Sequence, residues 1–247
     1  MILRDVRNNE HDLSKWPGFS EHYQDESTCA KIIIEEMNSD DIYQGIFNAH
    51  SKEDLVMIDI GANVGLFTLF MSPICKKIYS VEPTPNHLKL LSGMKDTFNL
   101  NNCVISNNAI SDKTENIIFN INPNNSTMNS LVGPDSYDKS TLTPHQIDSF
   151  SGYEEEVEVL GIRLDEYLEE HKIDCVDFIK MDIEGGEQIV VFSEGFAKAA
   201  DRIKSIYIEI HEGLGADRQG ILNELGKYYK NVYEMPYQAN PGYYLTK

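Results

Sequence analysis

The sequence predicts an α/β fold: a doubly wound, mostly parallel sheet with its last strand antiparallel, preceded by an N-terminal helical cap. Three observations carry this. From Leu55 onward, short runs rich in branched residues alternate with stretches of helical length, the pattern of βαβ units whose sheet is covered on both faces. A turn with two glycines, Gly61-Ala-Asn-Val-Gly65, follows the first run, where such sheets open their ligand crevice. The chain closes on two strand-like runs, Asn231–Met235 and Tyr243–Thr246, joined by the turn-forming stretch Pro236-Tyr-Gln-Ala-Asn-Pro-Gly242, which reads as a hairpin.

Taken in order, residues 1 to about 50 are polar and expected to be helical. Thr28–Met37 and Asp40–Asn48 carry apolar residues at helical spacing, with Ser39-Asp-Asp41 as an N-cap cluster, so the segment is expected to form a helical cap on a main domain of residues 51–247. In that domain Val56–Ile60, Ile78–Val81 and Val104–Ser106 read as strands, with helices over Leu66–Ile74 and Asn86–Phe98. The alternation resumes with strand Val176–Met181, helix Glu187–Phe192, strand Ser205–Ile210 and helix Gln219–Tyr229. Residues 122–153 interrupt it. They are rich in Asn, Ser, Thr, Pro and Asp with few apolar anchors, and a loop of that length inside a compact domain is expected to be a lid-like, substrate-facing insertion.

At 247 residues the chain is long enough for a sizeable core in one domain. Hydrophobic and charged contents of 41% and 25% are those of a globular protein, and no apolar run approaches the roughly 18 residues of a membrane span. The polar N-terminus lacks the apolar segment of a secretory signal, so a cytoplasmic location is expected. Forty acidic against 21 basic residues give a net charge of −19, a field that repels polyanions, so nucleic acid is not an expected partner. The four cysteines, Cys29, Cys75, Cys103 and Cys175, form no Cys-x-x-Cys pair and read as reduced thiols. Oligomeric state is left open, because a dimer would call for an exposed apolar patch on the cap.

The glycine turn narrows the ligand. Gly61 and Gly65 lie just after Asp59, and Glu82 closes the second strand 21 positions after Gly61 (82 minus 61), at the distance that suits ribose hydroxyls. A dinucleotide site would show G-x-G-x-x-G to cradle a pyrophosphate. Here the middle glycine is missing, Asn63 tolerates a positive φ, and Asp59 puts a carboxylate where a pyrophosphate would be repelled. The turn therefore suits a cationic, phosphate-free adenosine ligand. An NAD-dependent oxidoreductase shares the turn and Glu82 and is the alternative, disfavoured by the missing glycine and the terminal hairpin; a catalytically silent cofactor-binding module is the other.

With these residues in hand the chain resembles the class I S-adenosylmethionine-dependent methyltransferases, specifically the FkbM family. The resembling segments are Asp59-Ile-Gly-Ala-Asn-Val-Gly-Leu-Phe-Thr68, Val81-Glu-Pro83, Asn108-Ala-Ile-Ser-Asp112, Arg163-Leu-Asp-Glu-Tyr167, Phe178-Ile-Lys-Met-Asp-Ile-Glu-Gly-Gly-Glu187 and Ile208-Glu-Ile-His211. The resemblance implies a Rossmann-like sheet of seven strands and S-adenosyl-L-methionine as cofactor. It implies that Asp59, Gly61, Asn63 and Gly65 surround the methionine part, that Glu82 holds the ribose, and that Asn108 and Ala109 lie beside the adenine. It also implies methylation of a hydroxyl on a sugar, glycan or natural product, so a small-molecule or carbohydrate acceptor is the expected partner.

Methyl transfer to oxygen is an in-line displacement in which the protein aligns the reactants and excludes water, and a neutral hydroxyl needs a base or a metal. Asp182 and Glu184 follow the fourth strand; Asp182 is expected to contact the cofactor's amino group or the acceptor, and Glu184 to face the acceptor. Glu209 and His211, two apart at the next strand's end, share a face, and His211 is the candidate general base. These four residues also make an oxygen-and-imidazole set for a divalent ion, but they lack a tight spacing motif, so no metal ligand is assigned. Lys180, out of place in a central strand, is expected to reach the sheet edge or to pair with a site carboxylate. Trp16, Tyr23 and Tyr43 either pack the cap or stack on a ligand, and Thr127, Asn129 and Ser130 offer hydrogen bonds to a polyhydroxylated acceptor.

Overall fold

The computed structural model describes residues 1–22, 29–38, 54–122, 126–133, 155–235 and 241–247. Contacts within the chain divide it into two compact units, residues 1–106 and 107–247.

The first unit opens with an antiparallel ribbon of β1 (Ile2–Arg4) and β2 (Glu10–Asp12), where the polar composition had suggested helix. Strands of three residues are too short to show a period, and what holds the ribbon is local: the Asp5 carboxylate accepts from the backbone of Arg7 and Asn9 and contacts the His11 ring at 2.8 Å. Helix Phe19–His22 follows, and helix Cys29–Asn38 matches the expected Thr28–Met37. The Asp40–Asn48 helix and its cap cluster lie outside the described residues, as do Tyr23 and Tyr43. Trp16 is buried, stacked on Phe19 with ring centroids 4.5 Å apart, and its indole N–H donates to the Leu90 carbonyl at 2.9 Å. It packs the N-terminal segment onto helix Pro85–Thr97.

Three parallel strands then form in register: β3 (Leu55–Ile60), β4 (Cys75–Val81) and β5 (Cys103–Ser106). Helices Leu66–Met71 and Pro85–Thr97 connect them. Every residue of the first helix is buried, which explains a sequence as apolar as Leu-Phe-Thr-Leu-Phe-Met and the absence of a polar face.

The second unit begins with a three-stranded sheet that the sequence reading passed over. β6 (Ala109–Ser111) runs parallel to β8 (Glu155–Arg163), and β7 (Asn116–Ile121) lies antiparallel on β8's other side. Ala109, Phe119 and Val159 form its core with Ile117, Ile121, Leu131 and Val157 around them. Next come β9 (Phe178–Met181) and β10 (Ser205–Glu209), parallel to one another, and then the terminal hairpin of β11 (Asn231–Glu234) and β12 (Gly242–Thr246). β12 pairs antiparallel with β10 from Ser205↔Thr246 to Glu209↔Gly242.

The seven-stranded sheet has the order β11-β12-β10-β9-β3-β4-β5, with β12 the one antiparallel strand. This is the Rossmann-like arrangement that alternation and hairpin predicted. Among the described residues no helix is long and apolar enough to cross a membrane.

Candidate active site

In the first unit, β3 ends at Ile60 and the chain turns through three left-handed residues, Gly61 at φ +78°, Asn63 at +52° and Gly65 at +100°. Asn63 offsets the cost of its conformation locally, because its side-chain oxygen accepts from the Val64 N–H at 2.7 Å. Gly65 is required twice over: a Cβ there would sit 2.4 Å from Leu91 Cδ1 and 2.5 Å from Met94 Cε, so the absent side chain is what lets helix Pro85–Thr97 approach.

Asp59 is fully buried, and its Oδ2 accepts from Thr68 Oγ1 at 2.7 Å, which in turn contacts Ser80 Oγ at 2.7 Å. That chain holds a carboxylate inside the sheet directly before the turn. Glu82, 5% exposed, ties the turn together: Oε2 accepts from the Asn63 N–H at 2.9 Å and Oε1 from the Thr84 N–H at 2.8 Å, with His87 Nδ1 at 3.4 Å. Burial pushes the Glu82 carboxyl upward, but the His87 contact and the Thr84 N–H outweigh it and hold the group below its ordinary range, so it stays ionised. His87 Nε2 is buried and has no hydrogen-bond partner among the described residues. The turn thus presents buried carboxylates and an unsatisfied imidazole nitrogen.

In the second unit, Asp182, Glu184 and Glu187 follow β9, and Glu209 and His211 follow from the end of β10. The backbone between them is tightly bent. Glu184 is left-handed at φ +50° and Gly185 at +92°, where a Cβ would meet Leu214 Cβ at 2.8 Å. The fully buried Glu187 organises this bend, its Oε1 accepting from the N–H of Ile183 and of Gly185, both at 3.2 Å, and lying 2.9 Å from His211 Nδ1. With Nδ1–H donated to a carboxylate, His211 points Nε2 at Glu184 Oε2 (3.4 Å), Asp182 Oδ1 (3.8 Å) and Glu209 Oε1 (3.8 Å). Lys180 pairs with Asp182 Oδ2 at 3.1 Å, the site-carboxylate option of the two its sequence position left open.

The electrostatics follow from this crowding. Burial pushes the Glu184 carboxyl up to about 8, with the neighbouring carboxylates adding to the shift. Burial also disfavours the His211 imidazolium, but Glu184, Glu187 and Glu209 overcome it and raise the imidazole well above its usual value. Asp182 feels the same burial and is nevertheless lowered, because Lys180 and His211 hold its negative charge. Glu184 and His211 are therefore both pushed toward their protonated forms, and their titrations are linked.

Other residues singled out in the sequence fall elsewhere. Ala109 is buried in the core of the three-stranded sheet, and Asn108 lies beside β8 with its amide 3.5 Å from the Leu160 carbonyl. Asn129 and Ser130 are buried and committed internally: Asn129 Oδ1 accepts from the Asn122 N–H at 2.8 Å, and Ser130 Oγ donates to the Glu184 carbonyl. They shape the second-unit cluster rather than offer free hydrogen bonds, while Thr127 stays partly exposed. Sequence reasoning left out Glu187 and His87 as site residues. The signal for Glu187 was present, a third acidic residue three positions after Glu184, where a helix begins.

The match to a family model for the methyltransferase FkbM domain extends over residues 59–234, more than two thirds of the chain. The chain belongs to that family, and the domain is accordingly of the S-adenosylmethionine-dependent methyltransferase class, with S-adenosylmethionine as its cofactor. Among solved structures it is similar to the methyltransferase FkbM from Methylobacillus flagellatus KT, at 14% identity and a TM-score of 0.50 over 78% of this chain. It spans 43% of that protein's length, and at this identity the likeness is one of fold. Weaker similarities join it to an rRNA methylase from Streptococcus thermophilus (12% identity, TM-score 0.46, 79% of this chain and 88% of that one). Another is Aeropyrum pernix fibrillarin with bound S-adenosyl-L-methionine (15% identity, TM-score 0.44, 79% and 67%). No curated protein sequence matches the chain.

Proposed function

We propose that the chain transfers a methyl group from S-adenosylmethionine to a hydroxyl of a sugar, glycan or natural-product acceptor. The observation that carries this reading is the second-unit cluster: an imidazole fixed by Glu187 through one ring nitrogen, with the other turned toward Glu184, Asp182 and Glu209. Such a group takes up a proton from a weakly acidic hydroxyl, which an already nucleophilic amine would not need.

S-adenosylmethionine supplies an electrophilic methyl on a sulfonium. In the first unit, Asp59, Gly61, Asn63 and Gly65 would hold its methionine portion, and Glu82, kept ionised, would accept from its ribose hydroxyls. Neither role asks for a phosphate. Asn108 and Ala109 are assigned to the adenine side by family resemblance alone. In the second unit Asp182 and Glu184 orient the acceptor, and His211, in its neutral form, receives the hydroxyl proton while the oxygen attacks in line. Lys180 keeps Asp182 ionised and so keeps it an acceptor of acceptor-hydroxyl hydrogen bonds. The net charge of −19 favours a neutral acceptor over a polyanionic one.

The test is to incubate the chain with S-adenosylmethionine and a panel of free sugars, oligosaccharides and glycosylated natural products beside an amine panel and RNA, reading product by mass spectrometry. An O-methylated product is expected, with turnover reduced about 10²-fold to 10⁴-fold by His211→Asn, the usual weight of a general base. Methylation confined to amines or RNA would contradict the proposal.

A further inference from the structure

We propose that Asp182, Glu184 and His211 form a binding site for a divalent cation of the Mn²⁺ or Zn²⁺ kind, with Glu209 at its edge. One carboxylate oxygen of Asp182, one of Glu184 and one ring nitrogen of His211 all lie within 4.8 Å of one another. The distances around Nε2, 3.4 Å to Glu184 and 3.8 Å to Asp182 and to Glu209, exceed the roughly 2.7–3.2 Å of an ordinary N–H···O bond. The Glu184 distance falls within a different geometry, and the two of 3.8 Å lie about 0.3 Å outside it. Donor atoms that each stand about 2.1 Å from a common ion are roughly 3.0–3.5 Å apart at the angles of tetrahedral or octahedral coordination.

Two further features point the same way. His211 is 3% exposed, and its Nδ1 is committed to the fully buried Glu187, so that Nε2 is the ring atom that faces the carboxylates and, in the neutral imidazole, the one that carries the lone pair. A carboxylate behind a ligating imidazole is the usual outer support of a metal site. Glu187 is itself positioned by the Ile183 and Gly185 N–H groups, so the imidazole is held before any ion arrives. Acidic groups also outnumber basic ones here. Asp182, Glu184, Glu187 and Glu209 set four carboxyl groups around one imidazole and one ammonium, Lys180. A divalent ion would displace the protons these groups hold and pair with their carboxylates. The donor set of two or three carboxylates, one imidazole and no thiolate selects ions that accept mixed oxygen and nitrogen ligands.

At Nε2 the cation and a proton exclude one another, so metal binding would release the proton the cluster holds. With an ion on Nε2, His211 could not also act as the base, and the ion would instead acidify a bound hydroxyl, with Glu209 at the edge of the site. The site stands on second-unit residues alone and does not depend on the transfer reading; its failure would leave that reading intact, just as failure of transfer would leave the cation site.

The experiment is a titration of the whole chain with Mn²⁺ alone, without cofactor or acceptor, followed by continuous-wave and pulsed electron paramagnetic resonance, and in parallel a calorimetric titration with Zn²⁺. The expected result is one saturable Mn²⁺ per chain with a nitrogen coupling from the imidazole, and affinity reduced at least tenfold by Glu184→Gln and by Asp182→Asn. Both variants alter partly exposed side chains, and their circular dichroism should match the parent. Three results would overturn the proposal: no saturable binding of either ion, Mn²⁺ bound without nitrogen coupling, or affinity unchanged in both variants.

Discussion

Glu82 shows how one side chain serves local structure and ligand chemistry together. Its two oxygens pin the N–H groups of Asn63 and Thr84, so the turn after β3 and the start of the following helix share one buried anion. Because its folded-state pKa lies below the unfolded value, the stability it adds is present above the ordinary glutamate range and is lost as pH falls through the folded value. Glu82→Gln should therefore lower the denaturation midpoint at pH 7, and the gap to the parent should shrink as pH is lowered below about 4. Urea melts of both proteins across that range check the sign; a gap that widened on acidification would mean that Glu82 is not held ionised.

At the scale of elements, both units place their chemistry on left-handed bends just after a parallel strand. In the first, Gly65→Ala would drive a methyl into Leu91 and Met94 and strain a φ of +100°, and overpacking plus strain should cost about 2–4 kcal/mol by urea denaturation. In the second, Ser130 secures the Glu184 carbonyl from the segment after β7. Ser130→Ala should lose about 1 kcal/mol of stability, the typical net worth of one hydrogen bond, while kcat falls by a larger factor as Glu184 loosens. Equal kcat in the two proteins would show that this tether does not position the site.

Much of this was legible in the sequence, for physical reasons. β3 and β9 are buried almost throughout and read as short apolar runs broken only by Asp59 and Lys180, and the glycines and Asn63 mark positions where a positive φ is needed. The three-stranded sheet was not read. β8 does alternate, with Val157 and Val159 facing the small core between acidic residues, but its partner strands come from before a long polar stretch that masks the pairing. His211 was read as a base from its type and place. Its fixation by Glu187 depends on a contact across 24 residues, which no local period reveals.

For the molecule as a whole, strand order, terminal hairpin and family all describe a methyltransferase domain. The central claim is that the turn from Asp59 to Gly65, with Glu82, is built for a sulfonium nucleoside and not for a dinucleotide. Isothermal titration of the purified chain with S-adenosylhomocysteine and, separately, with NAD tests it most directly. The account predicts saturable binding of S-adenosylhomocysteine at one site, weakened at least tenfold by Glu82→Ala, and no binding of NAD. Binding of NAD with none of S-adenosylhomocysteine would contradict it.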